Sequence, residues 1–441
     1  MRGSSEDPDA ATRRPGGRPR PSGRPSGPGR WILVSGPRRL LLGGLVAWLA
    51  VAVGLRAVVA LPERCPTVEA ADARAAARRA VGWLATHQQA DGRWTYRYEA
   101  ATDRDLGGYE IVRHAGVLLA LYQALGRGVA EAGPVADRGL DWALDHLVAA
   151  GDGAALGEEG APLPVGASAL LAAALVERRR ATGDHSHDER MAELGRFLVG
   201  LLEPSGAVPQ VVDPRAGPST GSYSRFFTGE TFLALAGLRA ALGPEPWEEP
   251  AVRVGRYLAE HRDEAEGWFP AIADHWAAYG LAEVSRWPDG GAGRHAVDPH
   301  GVAALHLASL FGVQVRYESQ RTDGFPSRVT RGRQTLGAGL GTIGEGLANL
   351  ANLAVLSERA ELPGKAGSSA LDDQRAVLAE RASCVAGMLV ERQLDPAEAA
   401  GMPAPDRAVG GWYQFGVSQI DDHQHALSAL LLVGDLLAGA R

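Results

Sequence analysis

Lysine is nearly missing from this chain: Lys365 is the one Lys in 441 residues, and the other basic residues are Arg. Cysteine is confined to Cys65 and Cys384, which excludes a disulfide-rich scaffold and a four-cysteine zinc site. Aromatic residues amount to only 6%, although ten of them are Trp. Strand-like alternation is scarce. What remains is 45% hydrophobic and 22% charged, enough apolar material for a large core, so wholesale disorder is excluded. The net charge of -7 hides an asymmetry: residues 1–39 hold nine Arg and three acids, whereas from Glu63 onward 49 acidic residues face 35 basic ones. An acidic main body argues against a nucleic-acid partner, because neutralising phosphates takes clustered basic side chains.

Residues 1–39 are rich in Arg, Pro and Gly and cannot bury enough surface to offset their ordering entropy, so a disordered cytoplasmic tail is expected there. Leu40–Pro62 (LLLGGLVAWLAVAVGLRAVVALP) is about the 20 residues needed to cross a bilayer, with Arg56 near one end where it can snorkel to the headgroups. Arg38 and Arg39 precede the span, which places the N-terminus in the cytoplasm and the main body outside. A cleaved signal peptide is the alternative, but the basic leader is long for one and no clear small-x-small site stands just before Pro62. The expectation is a single-pass anchor in the cell membrane. Outside the cytoplasm Cys65 and Cys384 either form a disulfide, which requires the chain ends to meet, or stay two unpaired small hydrophobes.

From Thr67 the apolar periodicity is helical nearly throughout, with helices expected over 67–89, 110–126, 134–150, 165–183, 187–203, 228–242, 248–264, 275–287, 298–315, 340–360, 371–394 and 423–438. A Gly-aromatic or Gly-Pro signal follows most odd helices, as in Asp91-Gly92-Arg93-Trp94, Gly267-Trp268 and Gly410-Gly411-Trp412-Tyr413. Gly206, Gly267 and Gly324 lie 61 and 57 residues apart, a repeat period. The even helices (GVLLALYQAL, ASALLAAALV) are apolar on nearly all sides, hence buried on nearly all sides; the odd ones carry Arg and Glu. Six buried and six amphipathic helices predict an all-α fold, an (α/α)6 toroid of six helical hairpins over 67–438, preceded by one transmembrane helix. The rivals are an open solenoid, whose terminal repeats would need polar outer faces, and two separate bundles.

Gln89-Ala90-Asp91-Gly92-Arg93-Trp94 after an outer helix is similar to repeats of squalene and terpenoid cyclases, and the six-hairpin organisation resembles the glycoside hydrolases, polysaccharide lyases and sugar epimerases built on (α/α)6 barrels. The acid motif of class II terpene cyclases is incomplete here, since Ile420-Asp421-Asp422 lacks its first acid. The Cys and His zinc set of prenyltransferases is absent. The resemblance implies an enzyme acting on carbohydrate of the cell envelope as hydrolase, lyase or epimerase. A terpenoid-cyclase-like enzyme on a polyprenyl substrate and a non-catalytic scaffold toroid are the alternatives.

In such a ring the residues opening the inner helices would face one central cavity. Five of the six openings carry ionisable groups; Pro164-Val165-Gly166-Ala167-Ser168 does not. Glu230, Asp274 and Asp422 are the acid–base candidates, because an apolar pocket raises carboxyl pKa values. His114 and His425 are the expected proton carriers; His425 shares a helix face with Asp421 or Asp422. Tyr109 and Arg113 would position substrate, with Trp94, Trp268, Phe325, Trp412 and Tyr413 around the rim. Glu345 interrupts the small residues of the fifth inner helix, and His275 follows Asp274. Two ligands at the sixth opening are too few for a metal, so neither metal nor cofactor is expected.

Overall fold

A computed structural model describes residues 36–59, 61–219, 221–288, 292–298, 301–359 and 374–439. Most of the expected cytoplasmic tail therefore lies outside the described residues. The chain divides into two units, Met1–Leu61 and Pro62–Arg441. Within the first, Gly36–Val59 is one helix whose large apolar side chains between Leu40 and Leu55 are exposed, Leu40 at 78% and Trp48 at 66%. Arg38–Ala57 is long and apolar enough to cross a membrane, by length and composition.

The second unit is built from twelve long helices, each the counterpart of one read from the sequence. The outer helices are Ala70–Thr86, Ala132–Asp145, Asp188–Leu201, Glu248–Glu260, Val302–Ser319 and Arg375–Arg392. The inner ones are Ile111–Gly126, Val165–Thr182, Phe227–Leu242, His275–Val284, Gly337–Arg359 and Ile420–Leu437. Each inner helix packs on the next, and the sixth packs on the first, so the inner ring closes. The second, third, fourth and sixth outer helices pack on the inner helix before them in the chain, and the first outer helix packs on the last inner helix. The fifth instead leans on the fifth inner and sixth outer helices. The fold is an (α/α)6 toroid.

Small side chains make the close ring possible. Inner helices present Ala and Gly to one another, and where a large ring enters, glycine clears its path: a Cβ on Gly280 would fall 2.2 Å from the Phe232 ring. Turn glycines act differently. Gly92 has φ 94°, and its missing Cβ would sit 2.2 Å from the Arg138 carbonyl oxygen. Gly324 departs from this pattern, with φ −61° as the N-cap of the short helix Phe325–Arg331.

Short strands decorate the openings of the inner helices. Arg97–Glu99 pairs antiparallel with Arg104–Asp105 and with Val417–Gln419, joining the first repeat to the last. Leu163–Pro164 pairs with Val211–Asp213. At two to four residues these strands are too short for alternation to reveal. Cys65 and Cys384 are bonded to each other. Beside the bond Arg64 N–H donates to the Ser319 carbonyl at 2.8 Å, and Gly387 leaves room for the Pro66 carbonyl, 2.1 Å from where a Cβ would stand.

Candidate active site

The N-terminal ends of the inner helices surround a cavity of about 420 Å³. Along and behind its wall runs a chain of ionisable side chains from four inner helices. Glu110 caps the first inner helix and accepts from Arg113 Nη1 at 2.9 Å. Arg113 Nε also meets Asp421 Oδ1 at 2.9 Å, so the guanidinium fork is held between two carboxylates. Asp421 lies 3.7 Å from His425 Nε2, one turn along the sixth inner helix. His425 Nδ1 is 2.8 Å from Glu345 Oε2, and the other oxygen of Glu345 accepts from Tyr279 O–H at 3.1 Å. His275 Nε2 stands 3.8 Å from the same Glu345 oxygen, and the His275 and His425 rings meet edge to face, 4.9 Å between centroids.

The two imidazoles differ in charge because their neighbours differ. His275 is 2% exposed, and neither ring nitrogen has a hydrogen-bond partner among the described residues. Burial, with His425 beside it, pushes His275 well below the ordinary histidine value, so it is neutral. Burial works against the charge on His425 too, but Glu345 overcomes it and holds that imidazole above its ordinary value. Glu230 also lines the cavity, at 4% exposure and with Oε2 unpartnered. Burial first, and the charges of Asp274 and Glu110 second, raise it well above the usual carboxylate range. Burial thus favours the neutral forms of Glu230 and His275, whereas Glu345 favours the charged form of His425, and all three line one hollow.

Of the residues marked by sequence, Arg113, Glu230 and His425 line this cavity. The others do not. Asp274 is wholly buried; it caps the fourth inner helix through Trp276 N–H (3.0 Å) and Ala277 N–H (3.1 Å) and pairs with Arg262. Asp422 ties two openings together by accepting from Ala338 N–H (3.0 Å) and Gln419 N–H (3.1 Å), and burial raises it to about 6. His114 Nε2–H donates to the Gly139 carbonyl and its Nδ1 accepts from Tyr109 O–H, and burial lowers it to about 3. Trp94 and Trp412 are fully buried, Trp94 against Gly139 and Trp412 donating to the Leu389 carbonyl at 2.9 Å. Tyr413 bonds the Ala408 carbonyl, Trp268 bonds Glu266, and Phe325 is 79% exposed. Phe226, Phe227 and Trp276 supply the aromatic lining instead.

His275 and Asp421 complete the lining, with Glu345 buried behind it; sequence marked His275 and Asp421 only as neighbours of other candidates and Glu345 as the ionisable residue of the fifth inner helix. The signal available was positional for two of them: His275 and Asp421 lie in the opening turn of an inner helix, as Glu230 does, whereas Glu345 lies more than two turns into Gly337–Arg359. His275, Glu345 and His425 are also the one group among the described residues with three ligand atoms, all within 4.8 Å, that could hold a metal ion. The Glu345–His425 hydrogen bond already occupies two of those atoms with each other.

A six-hairpin toroid with acids and imidazoles in its hollow defines the class by fold. Solved structures with this fold include the α-1,6-mannanase of Salegentibacter sp. HEL1_6, at 13% identity over 83% of this chain and 99% of that one, TM-score 0.53. D-mannose isomerase matches at 10% identity over 82% and 96%, TM-score 0.53. Cellobiose 2-epimerase from Spirochaeta thermophila DSM 6192 matches at 12% identity over 80% and 93%, TM-score 0.53. At these identities the likeness is one of fold. No protein-family model and no curated protein matches the chain.

Proposed function

We propose that this chain is a membrane-anchored, extracytoplasmic enzyme that moves a proton on a reducing sugar of the cell envelope, as an epimerase or isomerase. One observation carries the reading: His275, with neither ring nitrogen hydrogen-bonded, lines the cavity beside His425, whose Nδ1 is 2.8 Å from Glu345. Abstracting a hydrogen next to a sugar carbonyl needs a neutral base at the carbon and an acid at the carbonyl oxygen. His275 supplies the first and His425 the second. Arg113, clamped by Glu110 and Asp421, is a fixed donor for a hydroxyl. The hollow is of the size ligand pockets usually have, and its three aromatic rings offer stacking faces. Fold relatives that act on sugars support the carbohydrate reading over the polyprenyl one. Glu230 and His275 line the cavity and each keeps a buried polar atom without a partner, the reverse of a scaffold whose charges cancel in contact. The disulfide favours an oxidising compartment, and the apolar helix Gly36–Val59 favours anchoring.

The test is solvent exchange. Full-length protein in detergent is incubated with reducing mono- and disaccharides in D2O, and deuterium at the carbon next to the anomeric centre is read by NMR. Wild type incorporates deuterium, and His275→Asn or His425→Asn lowers the rate by about 10²-fold or more. New reducing ends without deuterium uptake would replace this reading with glycoside hydrolysis, Glu230 acting as acid.

A further inference from the structure

The proton transfer leaves one buried titratable group of the cavity without a task. Glu230 sits in the first turn of the third inner helix, with its backbone N–H on the Phe226 carbonyl at 2.9 Å. The second inner helix, the one opening without an ionisable side chain, makes space for it: a Cβ on Gly166 would fall 2.1 Å from Glu230 Oε2. Behind it, Asp274 already has Arg262. Arg113 is spanned by Glu110 and Asp421. A buried carboxyl oxygen without a hydrogen-bond partner is costly, and a bound hydroxyl or ring oxygen would relieve that cost.

A pyranose has no carbonyl, so its C2 hydrogen is not acidic until the ring opens. Opening breaks the C1–O5 bond, and its electron pair goes to O5, which must gain a proton. The O1–H electrons become the C1=O bond, and the O1 proton must go to a base. We propose that Glu230 is the catalytic acid that protonates O5 and opens the sugar ring, with Asp421 accepting the O1 proton. This step rests on the proton-transfer reading of the same cavity. Glu230 ends as carboxylate and Asp421 as acid, and reclosure after the carbon proton transfer returns both protons. Burial favours the neutral, protonated form of Glu230, the form a donor needs.

Ring opening is measured apart from carbon chemistry by anomerisation. Freshly dissolved α-D-mannose is followed by NMR with full-length wild type, Glu230→Gln and His275→Asn, each first shown by thermal melt to be folded. Wild type is expected to accelerate anomerisation. His275→Asn keeps that acceleration and loses C2 deuterium exchange, and Glu230→Gln loses both by about 10²-fold, with partial rescue in Glu230→Asp. Anomerisation by Glu230→Gln at the wild-type rate overturns the assignment, as does C2 exchange by a wild type that leaves anomerisation at the buffer rate. Anomerisation without C2 exchange in wild type leaves Glu230 in place and removes the epimerase reading instead.

Discussion

Glu345 decides which of two imidazoles carries the proton. It approaches both His425 (2.8 Å) and His275 (3.8 Å), yet only His425 is close enough to hydrogen-bond, so only His425 has its charged form favoured. The exchange rate should therefore fall on the acid side when His275 gains a proton, below the ordinary histidine value, and on the alkaline side when His425 loses one, above it. Glu345→Gln keeps an acceptor for Tyr279 but removes the charge. The alkaline limb of the pH–rate profile should move to lower pH, with a loss of about tenfold or more at pH 8. An unmoved alkaline limb would mean that His425 is not the acid. The same pair affects stability with a definite sign. A histidine raised on folding contributes stability that is fully present below its unfolded value of about 6.5 and is lost as pH rises through the folded one.

The inner helices carry the site by their opening turns, and each turn divides its polar residues between capping and the cavity. In the fourth, Asp274 takes the cap and His275 faces inward; in the sixth, Asp422 ties backbone N–H groups while Asp421 faces Arg113. The helices themselves were legible because unbroken small apolar runs leave no other burial solution. The opening turns were legible too, since ionisable groups recur there. The choice between adjacent residues was not, because capping and catalysis ask for the same acids at the same position. The aromatic signals were ambiguous for a related reason. A Trp after a turn glycine packs between layers as readily as around a mouth, and Trp94 and Trp412 are wholly buried. The second inner helix offers the cleanest element-scale test. Gly166→Ala adds a methyl 2.1 Å from Glu230 Oε2 and 2.4 Å from the Phe227 ring, both side chains that border the cavity, so they should shift and the melting point should fall by no more than a few degrees. Anomerisation should drop about tenfold as Glu230 is displaced. A melting point lowered far beyond that would mean that Gly166 serves helix packing instead.

Closure of the whole ring depends on three seams between the chain ends. Val417–Gln419 pairs with Arg97–Glu99, Gln393 binds the Ala76 carbonyl (3.0 Å) and Arg79 (2.9 Å), and Cys65 bonds Cys384 across 319 residues of sequence. Only the last is covalent, and it fixes the point where the toroid begins. Cross-linking so long a loop restricts the unfolded chain, a contribution of about 2–5 kcal/mol. Cys384→Ala should therefore lower the melting point by several degrees yet leave a folded, active ring, because the other two seams and the first outer helix on the last inner one persist. The same variant frees Cys65, an exposed residue just past the apolar helix. On intact cells a membrane-impermeant maleimide should then label Cys65 without lysis. Labelling only after lysis would put the toroid in the cytoplasm, where the disulfide would not persist and the envelope substrate would be out of reach.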